Sequence, residues 1–83
     1  MEELINNSRH KVVGTRQTMK ALEKGEVEMV FVAGDAEEKV IRPVASACDD
    51  NGVEVRQVES MDRLGKMFGI KVKAATAAIL KEV

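Results

Sequence analysis

Residues 28–33 read E-M-V-F-V-A, a continuous apolar run rich in branched side chains. Neighbouring side chains of a strand point to opposite faces, so a run without polar alternation has to be covered on both sides. The run therefore predicts a central strand with helices packed on each face. Every other element has to be arranged to supply that cover.

The rest of the chain offers suitable pieces. Residues 2–10 suit a short first helix with Leu4 and Ile5 turned inward, its start favoured by Glu2 and Glu3. Residues 11–14 read as a short strand that leads into a helix, which Gly25 ends. Met19 and Leu22 are expected on the core side of that helix. After the central strand, Gly34-Asp35 marks a turn, and Asp35 with Glu38 three residues later matches a capping-box spacing. Pro43 is expected to divide the next segment into a helical turn near residues 37–41 and a second piece that Gly52 ends.

Val53, Val55 and Val58 form the next strand, and Ser60 is placed to cap a helix over residues 61–68 with Leu64 and Phe68 at core spacing. A mixed loop, I-K-V-K, precedes a last strand, A-A-T-A-A-I-L. Strands alternating with helices across short turns indicate an α/β fold with one sheet between helices.

Eighty-three residues suffice for one small domain, residues 1–83, whose stability is modest. A single cysteine, Cys48, forms no internal disulfide and fits a reducing compartment. The segment M-E-E-L-I-N-N-S has neither the basic nor the apolar part of a signal peptide. No apolar run approaches the roughly 20 residues of a membrane span. The expectation is a cytoplasmic protein without membrane contact.

The formal net charge is −1, but the charge is unevenly spread. Residues 9–24 hold five Lys or Arg against one Glu; residues 25–62 hold ten acids against three Lys or Arg; residues 63–73 hold four Lys or Arg and no acid. Two basic flanks and an acidic middle fit either unrelated solvated faces or one basic face with the acids opposite. The second arrangement is the one expected here.

The first basic flank carries the clearest functional signal. Arg16, Lys20 and Lys24 are four apart and form one row on a helix, with Gln17 beside them. A Gly14-Thr15 entry leaves backbone N–H groups and a partial positive charge at the helix start, which together make an anion site. RNA phosphate is the anion proposed from this pattern, with Arg16, Gln17 and Lys20 also reaching base edges.

Catalytic chemistry finds no comparable support. His10 is the one histidine, set between Arg9 and Lys11 without an orienting carboxylate. Cys48 reads as a buried small hydrophobe, and one Cys with one His is too few soft ligands for zinc. Asp49-Asp50 reads as a solvated helix end before a cation site. No phosphate-loop or dinucleotide glycine fingerprint is present. The expectation is a non-enzyme without cofactor or metal. Phe31 and Phe68 are the only aromatics, both at core-like positions, so stacking on open single strands is disfavoured. An RNA partner would be read by shape, backbone and structured base edges.

G-T-R-Q-T-M-K-A-L-E-K-G at residues 14–25 resembles the RNA-binding helix motif of the ribosomal protein L7Ae family, whose members bind kink-turn RNA. V-E-S-M-D-R-L-G at 58–65 and G-I-K-V-K-A-A-T-A-A-I at 69–79 are similar to two further blocks of that family, in the same order. The length is most similar to that of its short bacterial members. The resemblance implies a three-layer α-β-α sandwich around a four-stranded mixed sheet. It also implies a monomer that binds the bend beside tandem sheared G·A pairs, in ribosomal RNA, a riboswitch or another structured RNA, with the ribosome as a further partner.

Carried onto this chain, the guanine-facing positions are Gly14, Thr15, Arg16, Gln17 and Lys20. The late loop that covers bulged nucleotides supplies Ile70, Val72 and Ala74, with Lys71 and Lys73 adding backbone attraction. Archaeal members of the family usually carry Asn-Glu where this chain has Arg16-Gln17, which implies an altered preference; both side chains still donate to guanine O6 and N7. Val72 also suits an ordinary core position. The competing function is a protein-binding adaptor that uses the acidic helix face of residues 37–50 or the Met61–Met67 helix.

Overall fold

The computed structural model describes residues 11–81 of the chain; the helix expected over residues 2–10 lies outside the described residues. Elements alternate along the chain: β1 (Lys11–Val13), α1 (Thr15–Glu23), β2 (Val27–Ala33), α2 (Glu38–Asn51), β3 (Glu54–Val58), α3 (Met61–Met67) and β4 (Thr76–Leu80). The four strands form one mixed sheet in the order β1-β4-β2-β3. β4 runs antiparallel to both neighbours, β1 and β2, while β2 and β3 are parallel. Three strands therefore point toward the same end of the sheet, and each is followed there by a helix. β4 alone starts at that end.

The apolar run of β2 divides its side chains between two cores. Val30 and Val32 join Ala21 and Leu22 of α1, Val44 and Cys48 of α2, and Ala78 of β4. Phe31 and Ala33 face the other way, onto Leu64 of α3, with Phe68, Ala74 and Ala77. Val27 belongs to the first core and Met29 to the second, although alternation would give them the same face. A register shift against β4 between these residues, leaving Glu28 as the extra residue, reverses the parity. Phe31 and Phe68 meet edge to face, ring centres 5.7 Å apart and planes at 81°, a pairing worth about 0.5–1.5 kcal/mol beyond burial. The helices thus flank the sheet on both sides, as a sandwich.

Two sequence expectations fail. α2 runs unbroken through Pro43. Pro43 is exposed, so its missing N–H lies on the solvent side of the helix, while Ile41, Val44, Ala47 and Cys48 keep one apolar stripe packed on the sheet. Burial of that stripe outweighs the lost bond. Asp35 does not cap α2, whose N-cap is Glu37 without a side-chain hydrogen bond. Its Oδ1 instead accepts from the Met61 N–H at 2.8 Å, at the start of α3. The expected Ser60 cap is present, Oγ accepting from the Arg63 N–H at 3.1 Å.

Thr18 is fully buried on α1, and its hydroxyl has no hydrogen-bond partner. A buried hydroxyl without a partner costs its desolvation, so Thr18→Val should raise stability by about 1 kcal/mol, read from urea unfolding at unchanged m-value; a loss would show that the hydroxyl has a partner. Burial also pushes the Cys48 thiol above its ordinary pKa. The unfolded chain then gives up that proton first, so this group's contribution to stability is level in the neutral range and falls as pH rises through the alkaline range. A Cys48→Ala variant should lose that alkaline decline in pH-dependent melting.

Candidate nucleic-acid interface

The local sequence builds α1 with an open start. Gly14, the N-cap, sits at φ 110°, a conformation that a side chain would strain, and a Cβ built there would meet nothing within 4 Å. No side-chain hydrogen bond caps this end, and its first turn holds no acid. The first helical N–H bonded inside the helix is that of Thr18, to the Gly14 carbonyl at 3.0 Å. Arg16, Gln17 and Lys20 are all exposed, on the first two turns. Thr15 is half-buried. The result is a helix start with free donors, open space before the backbone, and two long cations.

The late loop lies against this helix start. The Gly14 N–H donates to the Thr76 carbonyl at 2.8 Å, and the Thr15 hydroxyl donates to the Thr76 hydroxyl at 3.3 Å. Thr76 is the residue at which the loop becomes β4. The loop is also tied from behind: the Ile70 N–H donates to the Gly65 carbonyl at 3.0 Å, the Ala74 N–H to the Met61 carbonyl at 3.1 Å, and the Ala33 N–H to the Ala75 carbonyl at 2.9 Å. On the β1 side, Lys11 Nζ donates to the Phe68 carbonyl at 3.1 Å, placing a cation on the C-terminal end of α3 just before the loop. Gly65 is buried in α3, and a Cβ there would run into the Val72 carbonyl. The loop can rest on α3 because Gly65 has no side chain.

The residues singled out from sequence divide accordingly. Gly14, Thr15, Arg16, Gln17 and Lys20 surround the helix start. Lys71, Val72 and Lys73 are exposed on the loop, and Val72 is 68% exposed, one of two large apolar side chains left open among the described residues. That disposes of the ordinary core position for Val72. Ile70 packs on the second core and Ala74 is buried in it, so both support the loop from beneath, and neither of the two expected apolar covers stands open as Val72 does. Sequence reasoning missed Gly65, Thr76 and Lys11. A glycine within a seven-residue helix and a lone hydroxyl in an alanine-rich strand were the available signals for the first two.

The acids are not all opposite this face. Gly34 donates its N–H to the Val58 carbonyl at 2.7 Å, so the turns after β2 and β3 share the sheet end with the helix start. Asp35, Glu37 and Glu59 therefore stand at that end too, toward the β3 edge, all exposed. Parallel strands force this, because each βα turn must fall at the same end. The end is basic near β1 and acidic near β3.

A four-stranded mixed sheet between helices, with a polar basic helix start set against a protruding loop, defines a known class of small α/β protein. The chain belongs to the Ribosomal protein L7Ae/L30e/S12e/Gadd45 family, whose model matches residues 2–83. It is 46% identical over 70 residues to the RNA-binding protein YbxF of Geobacillus stearothermophilus, with 84% of this chain and 85% of the relative covered. It is 38% identical over 68 residues to the large ribosomal subunit protein eL8 of Halobacterium salinarum, covering 81% of this chain and 57% of that protein. Among solved structures, the Giardia lamblia 15.5kD RNA binding protein matches with a TM-score of 0.83 at 26% identity, covering 98% of this chain and 65% of that one.

Gly65→Ala tests how the loop is held. The added methyl should displace Val72 and cost about 1–3 kcal/mol through overpacking, more than the roughly 1 kcal/mol gained in helix propensity. Faster amide exchange should be confined to residues 70–75. Unchanged melting and exchange would mean the loop does not rest on Gly65.

Proposed function

We propose that this protein binds structured RNA and stabilises a kink-turn, the sharp bend beside tandem sheared G·A pairs. The observation that carries the reading is the junction at Thr76, which holds the α1 start and the exposed loop side by side. Family membership and the RNA-binding names of its relatives support the same reading.

In this reading Arg16, Gln17 and Lys20 enter the groove at the paired guanines, where Arg and Gln can donate to O6 and N7. The free N–H groups behind Gly14 face phosphate oxygens. Lys71 and Lys73 take the backbone beyond the bend, and Val72 covers a nucleotide turned out of the stack. The protein selects the bent form from an equilibrium with an extended one and shifts the populations by its differential affinity. One copy of the chain is enough, and nothing in the mechanism calls for a cofactor or a chemical step.

The test is a titration of kink-turn RNA beside the same RNA with its G·A pairs changed to Watson–Crick pairs. Binding should be confined to the intact kink, with a log–log salt slope of about −2 to −4 from the few phosphate contacts available. Lys20→Glu should weaken binding at least about tenfold while melting stays unchanged, since one lost base-edge contact is worth about 1–3 kcal/mol. Equal binding to both RNAs, or a slope steeper than about −7, would replace this reading with general backbone attraction. Full binding by Lys20→Glu would remove α1 from the interface.

A further inference from the structure

We propose that Thr76 is a positioning residue of the RNA interface: its hydroxyl fixes the direction in which α1 leaves the sheet, and so aims Arg16, Gln17 and Lys20. The proposal rests on the RNA-binding reading and concerns a residue that would not itself touch RNA.

Thr76 is fully buried at the start of a strand that continues Ala-Ala-Ile-Leu. Packing alone gives no reason for a hydroxyl there, because valine has nearly the same shape and no polar atom to desolvate. The hydroxyl does have a partner, and the partner is Thr15, the first residue of α1. The Thr76 carbonyl meanwhile holds the Gly14 N–H. Packing of Thr18, Ala21 and Leu22 holds the body of α1, but with a single bond to Gly14 its first turn would be hinged on a glycine at φ 110°, the residue least able to resist turning. The second bond, one residue further on, converts the hinge into a defined direction.

Thr76 is itself immobilised on every side. It pairs with Val32 of β2, the Ala75 carbonyl before it is bonded to Ala33, and the Ala74 N–H is bonded to Met61. The same residue that closes the loop therefore sets the helix. The spacing between the loop tip, with Val72, and the groove-reading side chains of α1 is fixed in the free protein. Such preorganisation lowers the ordering cost of binding.

Thr18 supplies the internal comparison. It too is a fully buried threonine on the inner side of α1, one turn on, but its hydroxyl has no partner. The same Thr→Val change at the two positions removes the same atoms, and only at Thr76 does it remove a bond to the helix start.

The experiment compares Thr76→Val, Thr76→Ser and Thr18→Val with the unaltered protein, using kink-turn RNA, its Watson–Crick counterpart, thermal melting and backbone amide spectra. Thr76→Val should bind the kinked RNA about three- to tenfold more weakly, the effect of one lost hydrogen bond. It should also shift the amide signals of residues 15–17 in the free protein without lowering the melting temperature in proportion. Thr76→Ser, which keeps the hydroxyl, should restore binding to within about twofold, and Thr18→Val should bind normally. Normal binding by Thr76→Val, equal weakening by Thr18→Val, or no rescue by serine would overturn the proposal. If the unaltered protein ignores kinked RNA, the functional reading fails first. The amide shifts at residues 15–17 then decide by themselves whether Thr76 aims the helix.

Discussion

Burial of the two central strands on both faces is the constraint on which the remaining architecture depends. Val30 to Ala33 of β2 are all buried, as are Thr76, Ala77 and Ala78 of β4. Strands covered in this way have no side chains to spare for a ligand, so polar chemistry is pushed to the strand ends and into the turns. β1, β2 and β3 all deliver their turns to one end, and β4 begins there. The proposed interface therefore lies where backbone, helix starts and loop converge, with the core beneath it as support.

The small residues of β4 are part of the same economy. Ala77 and Ala78 face opposite cores with no exposed surface, which lets α3 close on one side and α1 on the other. A larger residue at either position would push a helix outward and move the site with it. Gly65 repeats the principle at closer range, since its missing side chain lets the loop backbone touch α3 while Val72 stays in water.

How much the sequence revealed depends on the range of the forces involved. The strand at residues 28–33, the helix stops at Gly25 and Gly52 and the cap at Ser60 rest on local alternation and turn chemistry, and all were legible. The helix row of Arg16 and Lys20 was legible for the same reason. Pro43 was misread because a local rule met a tertiary one: the buried stripe from Ile41 to Cys48 decided the matter. Asp35 was misread because its partner, Met61, is 26 residues away and becomes a neighbour only through the parallel pairing of β2 and β3. The sides of the late loop were only half visible. Alternation along residues 70–74 could not show that Ile70 and Ala74 point inward, because the loop is shaped by bonds to Gly65, Met61 and β2 rather than by its own pattern.

The charge gradient across the sheet end has a further consequence. A net charge of −1 would leave a uniform sphere indifferent to a distant polyanion, or slightly repelled by it. This molecule carries Arg16, Lys20, Lys71 and Lys73 toward one edge of that end and Asp35, Glu37 and Glu59 toward the other, so that end presents separated charges of opposite sign. A polyanion's field exerts a torque on such a body before it exerts a net pull, within the Debye length of about 8 Å at physiological salt. The protein would be turned to face its partner during the approach, and a near-neutral chain gains orientation without the indiscriminate adhesion of a strongly basic one.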